Sequence, residues 1–320
     1  MNRKALRAHT HNRKNVLTLN NPNYKQWVFR YTFLELEKDL GQFGDITSNT
    51  LIDNDKKCVA KIVCNEEGIL AGMNELIYFL QDSDPKFKPS LKSHFDLDTH
   101  FEDGQNVSDG ETVLIVESTV SSILAIERVA LNLLGRMSGV ATETANFIKL
   151  ISGSDVLITP TRKTLWGLLD KKATVLGGGG SHRLDLSDSI IVKDNHLRVL
   201  DDDFAKVFHA FHVKKPDVRF IEVEVENKDQ AIRVAKYFNE FSKAVNSVPV
   251  IMFDNMSPED IKNTIMQVKD ISLYNGVLFE ASGGIDRDNI IEYSNCGVDI
   301  ISIGALTQSA TSLDFTLKIE

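Results

Sequence analysis

The chain has 320 residues, 42% hydrophobic and 25% charged, with a formal net charge of −9 and a pI near 5.4. At roughly 100–200 residues per domain this length suits two domains or one large barrel with an attachment, and the composition is that of a globular protein, not a disordered one. The acidic balance argues against nucleic acid as the main partner, because phosphate binding needs a cationic surface, although a local cluster of Arg and Lys can still receive a small anion.

The first residues, MNRKALRAHTHNRK, are basic and lack the apolar core of a signal peptide, so residues 1–30 are expected to be a solvated basic tail. Residues 24–40 carry Trp27, Phe33, Leu34 and Leu40 in a helical pattern. Residues 57–63 and 113–116 predict strands, 72–80 a short helix, and 82–111 are polar. Residues 121–151 form one long helical pattern, with Ile123, Ile126, Ala130, Leu131, Leu134 and Met137 at helical spacing. Short strands beside separate helices predict an α+β domain over residues 31–150, ending in that long connecting helix. Cys58, Cys64 and Cys296 form no CxxC pair and read as small core residues in a reducing, cytoplasmic setting. No apolar run is long enough to span a membrane.

Beyond residue 150 the pattern becomes regular. Apolar runs at 156–158, 190–192, 220–225, 250–253, 277–279 and 300–303 are separated mostly by helical segments. Asn227-Lys228-Asp229-Gln230 has a capping-box glutamine, and Ser257-Pro258-Glu259-Asp260 supplies a cap, a first-turn proline and first-turn acid. Strands alternating with helices predict a parallel sheet, best closed as a (β/α) barrel over residues 151–310. Residues 311–320 are expected to return to the amino-terminal domain. A doubly wound open sheet is the alternative, but no GxGxxG follows the first strand.

The predicted barrel strands end in charged or glycine-rich groups: Lys193-Asp194-Asn195-His196, Glu222-Val-Glu224-Val-Glu226, Asp254-Asn255, Glu280-Ala-Ser282-Gly283-Gly284 and Ser302-Ile-Gly304. In a barrel the active site lies at the carboxyl ends of the strands, and charges buried there need partners. Asn227 and Ser257 are expected only to cap helices, and His196 to be hydrogen-bonded within its loop. Glu222, Glu224 and Glu226 alternate and so share one face; bound Mg²⁺ or neighbouring Lys and Arg should meet them. Ser282-Gly283-Gly284 and Gly304 suit phosphate, because glycine lets backbone N–H groups approach an anion. Arg162-Lys163, His182-Arg183, Lys193 and Arg128 would suit a ligand with two carboxylates, or a pyrophosphate. The remaining histidines, His9 and His11 among them, show no metal-ligand spacing and receive no role.

In order along the chain, Glu127-Arg128-Val-Ala130-Leu131-Asn132, Thr161-Arg162-Lys163-Thr164, the Gly177–Gly180 run with His182-Arg183, Lys193-Asp194-Asn195-His196, Glu222-Val-Glu224-Val-Glu226-Asn227, Asp254-Asn255, Glu280-Ala-Ser282-Gly283-Gly284 and Ser302-Ile-Gly304-Ala305-Leu306-Thr307 resemble the quinolinate phosphoribosyltransferase family. The resemblance covers roughly residues 34–318. It implies an amino-terminal α/β sandwich followed by a (β/α) barrel-like domain. It also implies a homodimer or a higher assembly of dimers, whose active site borrows Arg128 from the partner. The substrates implied are quinolinate and phosphoribosyl pyrophosphate, with Mg²⁺ and no organic cofactor. Arg128, Arg162, His182, Arg183 and Lys193 would bind the quinolinate carboxylates. Lys163, Glu224 and Asp254 would be catalytic, the last two serving Mg²⁺ directly or through substrate. Ser282, Gly283, Gly284 and Gly304 would hold the 5′-phosphate. Two departures lie beside the substrate loop: Leu165-Trp166-Gly167 stands where the family has Pro-Gly, and Pro160 where Asp or Gly is usual. A third is a longer stretch before Asp254, around 239–247. The alternatives weighed are a paralogue using another acid or heterocycle, a non-catalytic phosphate-binding barrel, and a Schiff-base aldolase using Lys193.

Overall fold

The computed structural model describes residues 2–53, 55–82, 94–241 and 246–320. The chain divides into two compact units: Met1–Arg13, Asn146–Leu165 and Gly179–Gln308 in one, Lys14–Ala145, Trp166–Gly178 and Ser309–Glu320 in the other.

Helix α1 (Arg3–His11) opens the chain, with the Asn2 side chain accepting from the Ala5 N–H as its cap. Helix α2 (Pro22–Leu40) is capped by Asn21 with proline at its start, and α3 (Ile46–Leu51) by Asp45. The second unit is then built on an antiparallel sheet. Strands β1 (Lys57–Cys64), β3 (Asp96–Asp98) and β5 (Thr112–Thr119) pair in the order β1-β5-β3, and β2 (Gly68–Ile69) pairs with β4 (Asn106–Val107). Between β2 and β3 lies the short α4 (Met73–Ile77), and after β5 comes the long α5 (Val120–Leu150).

Strand β6 (Leu157–Pro160) begins a six-stranded parallel sheet with β7 (Ile190–Val192), β8 (Phe220–Val225), β9 (Val248–Asp254), β10 (Leu278–Ser282) and β11 (Ile300–Ile303). Its order, β6-β11-β10-β9-β8-β7, is that of a barrel with one seam, between β6 and β7. The connecting helices include α7 (Asp194–Val199), α8 (Phe204–Lys214), α9 (Lys228–Phe241), α10 (Pro258–Asp270) and α11 (Ile290–Ser294). Ser257 caps α10 and the Asn227 side chain accepts from the Gln230 N–H, the capping roles expected of them. The longer stretch around 239–247 includes residues 242–245, which lie outside the described residues.

Alternate strand residues share a face, so the sheet interior is layered. Leu157, Ile191, Phe220, Val250, Leu278 and Ile300, one from each strand, form an apolar inner cluster with Leu6 of α1 packed against it. Two residues further along, Glu222, Met252, Glu280 and Ser302 occupy the same face. Beyond these come Glu224, Asp254 and Ser282 at the carboxyl ends. A larger core, including Phe238, Ile261 and Phe279, packs the outer face against the helices.

The expectation of a solvated tail over residues 1–30 fails. Arg3 pairs with Asp299 and donates to the Tyr274 and Val277 carbonyls, and Arg7 pairs with Asp155 at 2.5 Å. Thr10 and His11 are buried, as are Leu17, Tyr24 and Val28. The basic residues of α1 are thus counter-ions for acids of the parallel-sheet unit. The domain boundaries shift accordingly. Helix α6 (Leu168–Leu176) groups with the antiparallel unit, although it lies within the predicted barrel span. After α12 (Ala305–Gln308), the last strand β12 (Phe315–Ile319) pairs antiparallel with β1. Among the described residues no helix is long and apolar enough to cross a membrane.

Candidate active site

A cavity of about 760 Å³ opens at the carboxyl ends of the parallel strands. Its lining includes eleven of the twelve residues singled out from the sequence: Arg162, Lys163, His182, Arg183, Lys193, Glu224, Asp254, Ser282, Gly283, Gly284 and Gly304. Arg128 is not among them; it lies on α5 with a side chain 62% exposed, 3.9 Å from Glu127.

The cations come from the β6 and β7 ends of the sheet. Arg162 and Lys163 follow β6. The Lys163 carbonyl accepts from the Thr307 hydroxyl at 3.0 Å, which ties this loop to the motif after β11. Arg183 is 4% exposed, and its Nη1 donates to the Ser189 carbonyl at 3.0 Å. Among the described residues its buried Nε has no hydrogen-bond partner, and neither does Ser302 Oγ of the cavity lining. Burial and then the Arg162 charge hold the Arg183 guanidinium below its ordinary pKa. A buried donor beside a second guanidinium is an arrangement that an anion relieves.

The carboxylates come from β8 and β9. Glu224 pairs with Lys193, which follows β7. Burial raises the Glu224 pKa; Lys193 opposes this, and the neighbouring Asp254 and Asp194 charges add to it. Glu226 lines the same cavity just past β8. The predicted alternation holds, but only Glu224 meets a lysine. Glu222, fully buried, faces His11 and His182.

The glycine loop after β10 takes backbone conformations that call for glycine. Gly283 has φ +92° and Gly284 φ +62°, conformations open to glycine. A Cβ on Gly283 would stand 2.3 Å from Asn255 Oδ1, so the two loops approach as closely as their atoms allow. Asn255, itself at φ +54°, donates its N–H to the Ser282 carbonyl at 2.9 Å.

His182 lines the cavity, yet both ring nitrogens are engaged inside the protein. Nε2 lies 3.1 Å from Glu280 Oε1, and Nδ1 accepts the Arg183 N–H at 2.8 Å. His196 accepts the Lys193 N–H through Nδ1, the loop role expected of it. The Gly177–Gly180 run is tightly packed at its end: a Cβ on Gly180 would stand 2.6 Å from the His11 carbonyl oxygen. The Leu165-Trp166-Gly167 departure belongs to two environments. Trp166 packs against Tyr31 with the rings tilted by 40° and their centroids 4.4 Å apart, and Gly167 abuts the Trp27 ring, while Leu165 is exposed.

Sequence reasoning gave no role to His11, which lies behind the cavity against Glu280, or to Gln308 of the cavity lining. His11 belongs to a basic segment whose few apolar residues predict a solvated tail.

Residues 45–138 match the family described as quinolinate phosphoribosyl transferase, N-terminal domain, and residues 140–318 match its C-terminal domain. A probable nicotinate-nucleotide pyrophosphorylase (carboxylating) of Methanothermobacter thermautotrophicus is 37% identical over 292 residues, covering 89% of this chain and 96% of that protein. The Bacillus subtilis protein of the same name is 33% identical over 294 residues, covering 91% and 92%. Among solved structures, the nicotinate-nucleotide pyrophosphorylase from Francisella tularensis superposes with a TM-score of 0.76 at 30% identity, covering 92% of this chain and 96% of that one. With both family domains matched in order, and with the cavity lined by the motif residues, the chain belongs to the quinolinate phosphoribosyl transferase family.

Proposed function

We propose that the chain transfers phosphoribosyl from phosphoribosyl pyrophosphate to quinolinate with decarboxylation, giving nicotinate mononucleotide, pyrophosphate and carbon dioxide. The observation that carries this reading is the polarity of the cavity in a member of this family. Arg162, Lys163, Arg183 and Lys193 supply cations, Glu224, Glu226 and Asp254 supply carboxylates, and glycine loops lie between.

Each group has a task suited to its chemistry. Arg162, Arg183 and Lys193 bind the acceptor's two carboxylates; the unpartnered Arg183 Nε supports this. His182, its nitrogens engaged, contributes through the loop it anchors. Ser282, Gly283, Gly284 and Gly304 hold the 5′-phosphate. The pyridine nitrogen attacks the anomeric carbon, and the bond to pyrophosphate breaks with its electron pair leaving on oxygen. Glu224 and Asp254 offset the positive charge on the sugar, and Lys163 the negative charge of the leaving group. The positive charge of the quaternised ring nitrogen then stabilises the electron pair left on the adjacent ring carbon as carbon dioxide departs, and that carbon takes a proton from solvent to give nicotinate mononucleotide.

Glu224 and Asp254 offer the oxygen donors that suit Mg²⁺, and the raised pKa of Glu224 marks a place where a cation would be favourable. When bound there, directly or through substrate, Mg²⁺ supplies charge neutralisation for the pyrophosphate. No organic cofactor is invoked. A Schiff-base role for Lys193 is disfavoured by its ion pair with Glu224. We also assign the chain to a homodimer in which Arg128 serves the neighbouring site; its exposure and its absence from the cavity lining support this. The three free cysteines fit a reducing cytoplasm.

Initial rates with quinolinate and nicotinate as competing acceptors test the reading. Quinolinate should be strongly preferred and turnover should stop in chelator. Equal use of nicotinate would remove the case for two carboxylate subsites.

A further inference from the structure

The sheet interior holds a polar cluster for which the proposed reaction has no stated use. Glu222 and Glu280 are both fully buried, and their ion-pair partners are two histidines, not lysine or arginine. One partner is His182 of the cavity wall. The other is His11, at the end of α1. Its Nε2 lies 3.1 Å from Glu280 Oε2 and 3.8 Å from Glu222 Oε2. The ring stacks on Phe220 with centroids 4.5 Å apart and meets His182 edge-on at 4.7 Å.

Hydrogen bonds fix where the protons sit. The Thr10 hydroxyl donates to the Leu6 carbonyl at 2.9 Å, so its oxygen accepts from His11 Nδ1 at 2.7 Å. His11 Nδ1 therefore carries a proton, and Nε2 faces the carboxylates. His182 Nδ1 accepts the Arg183 N–H, so its own proton is on Nε2 and points to Glu280. The four side chains also have metal-ligand spacing, with ligating atoms within 4.8 Å of one another. A protonated Nε2 on His182 cannot bind a metal, which leaves the hydrogen-bonded arrangement. Burial and the neighbouring Glu280 charge push the Glu222 pKa up to about 8, so Glu280 is the carboxylate of the pair at neutral pH, and His11 and His182 are the groups that meet it.

The backbone of His11 acts on the same loop. Its carbonyl accepts from the Ser181 N–H at 2.7 Å and the His182 N–H at 3.0 Å. The next residue but one, Arg13, donates its N–H to Ser181 Oγ at 2.9 Å. Residue 182 is held at φ +55°, a left-handed conformation that a non-glycine residue keeps only with such support.

We infer that His11 is a positioning residue for the acceptor site. Its side chain acts through Glu280, and its carbonyl through the Ser181 and His182 N–H groups. Together they set the loop that presents His182 and Arg183 to the cavity. The inference rests on the acceptor role proposed for that loop.

Kinetics and histidine ¹⁵N spectra of the full chain test it, with His11→Gln as the main variant and Thr10→Val as a milder one. In His11→Gln the KM for quinolinate should rise about tenfold, with the KM for phosphoribosyl pyrophosphate changed less than about twofold, since a misplaced binding loop penalises its own ligand. The His182 signals should lose their fixed Nε2–H tautomer. Adding Glu222→Gln to His11→Gln removes the second ionisable carboxyl group beside Glu280 and should recover part of the quinolinate KM. Thr10→Val should move the quinolinate KM in the same direction by less, and it carries the test should His11→Gln not fold. Unchanged quinolinate KM with an unchanged His182 tautomer would overturn the inference. So would an equal rise in both KM values, or a stoichiometric metal whose removal abolishes the His182 signature. If the unaltered chain fails to use quinolinate, the proposed function falls, while the tautomer comparison still decides whether His11 positions His182.

Discussion

Gly283 and Gly284 both have positive φ, but a side chain would meet different surroundings at the two positions. At Gly284 nothing lies within 4 Å of an added methyl, so Gly284→Ala should cost only the left-handed strain, about 1–2 kcal/mol. At Gly283 the methyl would also displace Asn255, whose N–H holds the neighbouring loop. Denaturant unfolding should therefore show Gly283→Ala as the costlier change, and its KM for phosphoribosyl pyrophosphate should rise further. Equal effects at the two positions would mean that the close approach to Asn255 is not structural. Asp254→Asn should lower turnover on the order of a hundredfold while leaving the melting temperature unchanged or higher. A collapse of stability in that variant would assign Asp254 to the scaffold. Most residues of this site were legible in the sequence because charge and glycine sit at strand ends, where a barrel places its chemistry. Which carboxylate meets which cation was not legible. The Glu222, Glu224 and Glu226 alternation fixes a shared face but not that Lys193 reaches Glu224 while His11 reaches Glu222.

The strands were legible as elements because their apolar runs are short and bounded by turn residues; Ile190–Val192 and Phe220–Val225 match the predicted limits. Helix α1 was not. It has only Ala5, Leu6 and Ala8 as apolar residues, and its anchors are distant in sequence: Arg3 to Asp299 and Arg7 to Asp155. No local pattern encodes such pairs. Helix α4 carries a different kind of hidden term. Glu75 is buried, accepts the Tyr24 hydroxyl at 2.8 Å, and is lifted to about 7 by burial and the Asp103 charge. Its folded pKa lies above the ordinary carboxylate value, so its contribution to stability is present below pH 4.5 and is lost as pH rises through 7. Between those limits the unaltered chain should lose up to about 3 kcal/mol relative to Glu75→Gln, in which the amide keeps an acceptor for Tyr24. Denaturant titrations of the two chains from pH 5 to 8 check this. Parallel stability curves would contradict it.

For the whole molecule, the sequence legibly indicated two α/β bodies, and their boundaries were the weak part. Helix α6 follows β6 in the chain yet belongs to the antiparallel unit, held there by the Arg136–Asp170 pair at 2.9 Å, which no local spacing announces. The proposed dimer makes its own prediction. Arg128→Ala and Lys163→Ala chains should each be inactive and should regain activity when mixed, because exchange creates one site with an intact cavity and an intact borrowed arginine. Demonstrated exchange without recovered activity would place Arg128 outside the site.

The central claim is that this cavity joins phosphoribosyl to quinolinate and then decarboxylates it. The most direct measurement uses quinolinate carrying carbon label in one carboxylate at a time, with phosphoribosyl pyrophosphate and Mg²⁺. Label from the carboxylate beside the ring nitrogen should leave as carbon dioxide in step with nicotinate mononucleotide formed, and label from the other should stay in the nucleotide. Nucleotide formed with both labels retained, or carbon dioxide released without phosphoribosyl transfer, would contradict the claim.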